Sequence, residues 1–81
     1  MAYKKQYVPY LRGVVDKITH AAERLRTERG IIGLCLGVDY LGEDDKEQLR
    51  QVLAYFEGAE ETINTLTRRI KSRVKILDNI N

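Results

Sequence analysis

The chain has 81 residues, a net charge of +2, one proline and a single cysteine. That length makes one domain near the size at which a lone hydrophobic core is marginal. Cys35 alone excludes an internal disulfide, and Cys35 with His20 cannot supply a zinc tetrad. Helix packing and self-association are therefore expected to carry the stability, with no metal and no cofactor.

The start, Met1 to Tyr10, is polar and basic and lacks the apolar stretch of a secretory signal. The longest apolar run, Ile31 to Val38, is interrupted by glycine and falls well short of the roughly 20 residues that span a bilayer. A free thiol without a disulfide framework points to a reducing, cytoplasmic setting. Charge is distributed in three blocks: residues 1–30 carry +4, residues 31–62 carry −6 and residues 63–81 carry +4.

The first predicted element opens at Pro9, which suits a helical first turn because its missing N–H has no partner there in any case. Leu11, Val14, Val15, Ile18, Ala21, Ala22 and Leu25 follow at helical spacings. Gly30, after Glu28 and Arg29, reads as a left-handed cap, so the helix is expected over about 9–29. The stretch 30–43 holds Gly30, Gly33, Gly37 and Gly42 among bulky apolar residues and reads as a buried connector.

A second start signal comes at Asp44, with Glu47 three residues on in a capping-box-like spacing. From there the apolar series Leu49, Val52, Phe56, Ala59, Ile63, Leu66, Ile70, Val74 and Leu77 advances by threes and fours, a coiled-coil heptad with one stutter. One long helix over about 44–78 is the expectation, with a break at Gly58 giving three helices as the alternative. The expected fold is all-α: a helical hairpin or three-helix unit with a long amphipathic C-terminal helix, completed by oligomerisation. A first helix about 30 Å long against a second about 52 Å long would leave roughly four turns of overhang, bearing Ile70, Val74 and Leu77. The candidate seam for a second copy or a partner is Phe56, Ile63, Leu66, Ile70, Val74 and Leu77.

Folding the chain as a hairpin would gather a basic pole at the open end: Lys4, Lys5, Arg12, Arg69 and Arg73, beside Tyr7 and Tyr10. Basic residues interleaved with aromatics can hold phosphates and stack bases, while cations near a helix C-terminus also simply complement its dipole. A helix-turn-helix reading fails on charge, because the start of the long helix would present Glu43, Asp44 and Asp45 to phosphates. No side-chain set suggests catalysis: His20 has no evident orienting partner, and Cys35 between leucines reads as an inert thiol. No phosphate-binding glycine loop is present.

Leu11-Arg12-Gly13-Val14-Val15-Asp16-Lys17-Ile18, followed by Glu28-Arg29, resembles the first helix of the all-helical chorismate mutases. The resemblance implies that Arg12 and Arg29 would reach a substrate's carboxylates. The family's active-site lysine has no counterpart between Gly30 and Asp45, and the glutamine of its last helix has no clear match. The function expected first is that of a small non-enzymatic interaction protein, acting as a homo-oligomer on a larger protein. Nucleic-acid or nucleotide binding at the basic pole comes second, and a mutase-like enzyme third.

Overall fold

The structure, a computed structural model, describes residues 5–79. Lys4 of the expected basic pole lies outside the described residues. A 3₁₀ turn, Lys5–Tyr7, leads into helix α1, Val8–Leu34, and a second 3₁₀ turn, Cys35–Gly37, prolongs it. Residues 38–42 reverse the chain into helix α2, Glu43–Asp78. All regular structure among the described residues is helical, and the two helices pack against each other antiparallel.

Pro9 sits in the first turn of α1, as its chemistry requires. The end of α1 differs from the sequence expectation: the chain stays helical through Gly30 and Gly33, and no glycine among the described residues adopts a positive φ. The reason is tertiary. Leu11, Val15, Ile18, Ala22, Leu25, Arg29, Ile32 and Leu36 recur at alternating steps of four and three, all buried or half-buried. Continuing the helix keeps Ile32 and Leu36 in that stripe, which outweighs a cost of about 1 kcal/mol for each of Gly30 and Gly33. The connector therefore shrinks from the expected 30–43 to five residues. Val38 turns extended there and donates its N–H to the Cys35 carbonyl at 3.3 Å.

The start of α2 also differs in detail. Gly42, in extended conformation, occupies the N-cap position and no side chain caps the helix. The Asp44–Glu47 spacing is thus not a capping box here. Glu43, Asp44 and Asp45 instead crowd the first turn, where the helix dipole favours negative charge. Gly58 lies within an unbroken α2, so the three-helix alternative does not form.

These bounds remove the expected overhang. At 1.5 Å per residue, α2 is about 54 Å long; α1 alone is about 40 Å, but its flanking 3₁₀ turns bring that arm to about 52 Å. Ile70 and Val74 are accordingly covered within the chain, forming the core with Val8 and Val15, with Leu11, Ile18 and Leu77 packed against it.

That core is small. No side chain among the described residues is fully enclosed, and the molecule extends 62 × 19 × 13 Å with a radius of gyration of 17.9 Å. A compact chain of this length would have a radius near 12 Å. Its exposed surface is 6473 Å², against about 5,000 Å² for a compact monomer of the same mass.

Continuity of both helices through their glycines has a measurable consequence. A Cβ added at Gly30 or Gly58 meets no atom within 4 Å. Gly30→Ala and Gly58→Ala should each stabilise the protein by about 0.5–1 kcal/mol in thermal or urea melts. Destabilisation by the first would place a left-handed cap at residue 30; destabilisation by the second would place a break at residue 58.

Candidate interaction surface

The inward face of α2 consists of Leu49, Leu53, Phe56, Glu60, Ile63, Thr67, Ile70, Val74 and Leu77, each buried or half-buried. This series alternates steps of four and three with no stutter. It differs from the sequence expectation at three positions. Leu53, Glu60 and Thr67 face α1, whereas Val52, Ala59 and Leu66 lie one residue earlier, on the flank. Phe56, Ile63, Ile70, Val74 and Leu77 belong to the intrachain seam, so of the six candidate seam residues only Leu66 remains outward, at 40% exposure.

Taking Val8 and Leu53 as heptad position a gives one frame for both helices. Antiparallel pairing then brings e positions together on one flank and g positions together on the other. The Arg12–Asp78 ion pair joins two e residues and fixes the sense of this assignment.

The e flank is polar. Arg12, Thr19 and Arg26 of α1 lie along it, with Glu57, Asn64, Lys71 and Asp78 of α2. Near the open end a shallow groove runs there over Val15 and Val74, walled by Arg12, Asp16, Lys71, Lys75 and Asp78.

The opposite flank is apolar. Val14 of α1 and Val52 and Leu66 of α2 are exposed g residues, and Tyr7 precedes α1 in the same phase. Position c, next to g on the outer side, adds Tyr10 and Ile31 from α1 and Tyr55 and Ile76 from α2. Tyr10 and Tyr55 are 73% and 74% exposed. Among the described residues, the other exposed large hydrophobics are Leu34, at position f, and Tyr40 in the turn. Scattered exposed hydrophobics are ordinary on a monomer, but alignment on one flank is the mark of a contact surface.

A charged pair is set into the seam near its middle. Glu60 is 6% exposed and accepts hydrogen bonds from Arg29 Nε at 2.7 Å and Arg29 Nη2 at 3.3 Å. Arg26 Nε lies 3.8 Å from Glu60 Oε1, the oxygen that also accepts from Arg29 Nη2. The Arg29 guanidinium is raised above its ordinary value, first by the hydrogen bond to Glu60, against some desolvation, then by the charges of Glu60 and Glu57. A raised cation contributes stability below its ordinary range and loses it only at more alkaline pH. Arg29 and Glu60 both occupy position a, where a polar contact restricts which layers can meet. The signal for this pair was present in the sequence: a frame through Leu53 rather than Val52 removes the stutter and puts Glu60 inside.

The expected basic pole is split by the fold. Arg69 and Arg73 are exposed on the apolar flank, at c and g, with Tyr7 and Tyr10 at the same end; Lys5 lies in the first 3₁₀ turn. Arg12 is turned to the other flank by Asp78. Arg12 and Arg29, the two arginines singled out by the mutase resemblance, are thus both held by carboxylates of the chain itself. His20 is exposed and Cys35 half-buried with a free thiol. Among the described residues no group of three or more His, Cys, Asp or Glu side chains is placed to hold a metal, and no helix is long and apolar enough to cross a membrane. No family model matches the chain, and neither curated proteins nor solved structures provide a match.

Two seam positions yield predictions. Thr67 Oγ1 is buried with no hydrogen-bond partner, so Thr67→Val should raise stability by about 1 kcal/mol in urea melts. Arg29→Met alone should destabilise strongly, because the buried Glu60 carboxylate loses both of its hydrogen bonds and keeps only the exposed Arg26, 3.8 Å away, as a counter-charge. Adding Glu60→Leu should restore most of the loss, because apolar groups can replace a buried ion pair at little cost. Equal melting of Arg29→Met and the parent would show that the pair does not hold the seam.

Proposed function

We propose that this is a small non-enzymatic interaction protein whose apolar flank docks on another helical surface, as a homo-oligomer acting on a larger protein. The observation that carries this reading is the alignment of Val14, Val52, Leu66 and Tyr55 on one side of the hairpin, whereas none of the exposed large hydrophobics lies on the other, where Val15 and Val74 only floor a groove. Two helices cannot cover this flank themselves. The exposed strip has the form of an amphipathic face that another helix covers through anchors three, four and seven residues apart.

A second reading has its own support. Arg69, Arg73, Tyr7 and Tyr10 share the open end of the same flank, and cations beside exposed tyrosines suit a polyanion with stackable bases. The same cations also complement the C-terminus of α2, which makes the apolar reading the stronger of the two.

Three proteins distinguish these readings: the parent, Leu66→Glu and, as a control on the polar flank, Asn64→Glu. Immobilised parent and Asn64→Glu should retain the same specific set of proteins from a cell extract. Leu66→Glu should lose that set, and doubling the salt should change its retention less than twofold. Binding of RNA or DNA at submicromolar concentration would replace this conclusion with the second reading, if it collapses at doubled salt and in an Arg69→Ala/Arg73→Ala variant.

A further inference from the structure

We infer that the occupant of the apolar flank is a second copy of this chain, laid antiparallel so that the turn of each hairpin covers the open end of the other. The inference rests on reading the flank as a docking surface and commits it to one partner; the larger protein then meets the assembled dimer, and Leu66→Glu loses it by dismantling that dimer. Three observations carry it.

The first is extent. Exposed apolar residues at c and g run from Tyr10 to Ile31 on α1 and from Val52 to Ile76 on α2, nearly the full hairpin. A partner covering both rows must present a two-helix surface of comparable length. A second hairpin does so through the same residues, as a two-fold interface requires.

The second is area. The chain exposes 6473 Å², roughly 1,500 Å² more than a compact monomer of its mass. A standard stable interface buries about 800 Å² on each partner. Covering one flank with a second copy would remove an area of that order and produce a four-helix arrangement in which a, d and g positions all face inward. An apolar stripe three positions wide, rather than two, is the pattern of helices that contact more than one neighbour.

The third is charge, which selects the orientation. The turn end is acidic, with Asp39 in the turn and Glu43, Asp44 and Asp45 opening α2. The open end is basic, with Arg68, Arg69, Lys71, Arg73 and Lys75 in the last turns of α2. On the flank itself, Lys17, Arg69 and Arg73 lie toward the open end, while toward the turn Glu28 is offset by Arg24, so the contrast in charge comes from the two ends. A parallel pair of hairpins would set like against like at both ends. The antiparallel pair sets the acidic end of each copy against the basic end of the other.

The test combines mass with orientation. Sedimentation of the parent at micromolar concentration should report a dimer. Leu66→Glu and Val14→Glu, both on the exposed flank, should weaken dimerisation at least tenfold, while Asn64→Glu on the polar flank leaves it unchanged. Orientation is read with a spin label in the turn, in a Cys35→Ser/Tyr40→Cys variant. From the helical rise, the two labels should lie about 50 Å apart in the antiparallel dimer and within about 20 Å in a parallel one. A monomeric parent, a dimer indifferent to both glutamate substitutions or a short label distance would overturn the inference. If the parent is monomeric yet Leu66→Glu still loses its captured proteins, the docking reading stands with a different occupant. If neither the dimer nor the capture depends on Leu66, both fail.

Discussion

Two helices packed side by side share one line of contact and enclose no volume. Every apolar residue off that line is left facing water unless a third element arrives. This limit explains the small core of Val8, Val15, Ile70 and Val74, the absence of any fully enclosed side chain among the described residues, and the surface that exceeds that of a compact chain. It also gives the apolar flank its significance. The c and g residues cannot be buried by rearranging the hairpin, because the seam is already occupied by an unbroken a/d series on both helices.

Within that seam, Arg29 and Glu60 do what apolar residues cannot. Leucine against leucine tolerates a slip of one heptad; a buried carboxylate does not, because it would lose the fork of two hydrogen bonds that Arg29 supplies. Arg12 with Asp78 adds a second, more exposed tie near the open end, where solvent leaves an ion pair worth little. The pair in the seam therefore specifies alignment, while the apolar residues around it supply most of the cohesion. Alignment in turn decides which residues share a flank, so the proposed docking surface depends on a contact it does not contain.

Glycine placement fits the same picture. Gly30, Gly33 and Gly58 lie at b, e and f positions, away from the apolar flank, and none has another part of the chain against it. They weaken the helices without shaping a contact. The helices persist because each additional turn extends two apolar rows, one facing the partner helix and one facing outward.

The all-helical class, the in-phase Pro9, the position of α2 and the opposed charges of the two ends were all legible in the sequence, because they follow from local chemistry and from spacing along one chain. The length of α1 was not. Gly30 carries the local signature of a cap, and only the packing of Ile32 and Leu36 beyond it overrides that preference. The phase of α2 was ambiguous for a related reason: Val52, Ala59 and Leu66 lie beside Leu53, Glu60 and Thr67, and hydrophobicity alone favours the first set. Antiparallel pairing with α1 reverses the choice, since Glu60 becomes tolerable inside only once Arg29 stands opposite. Spacing could therefore show that α2 has an apolar face; which part of it faces α1, and which is left for a partner, was decided by a contact between residues 31 positions apart.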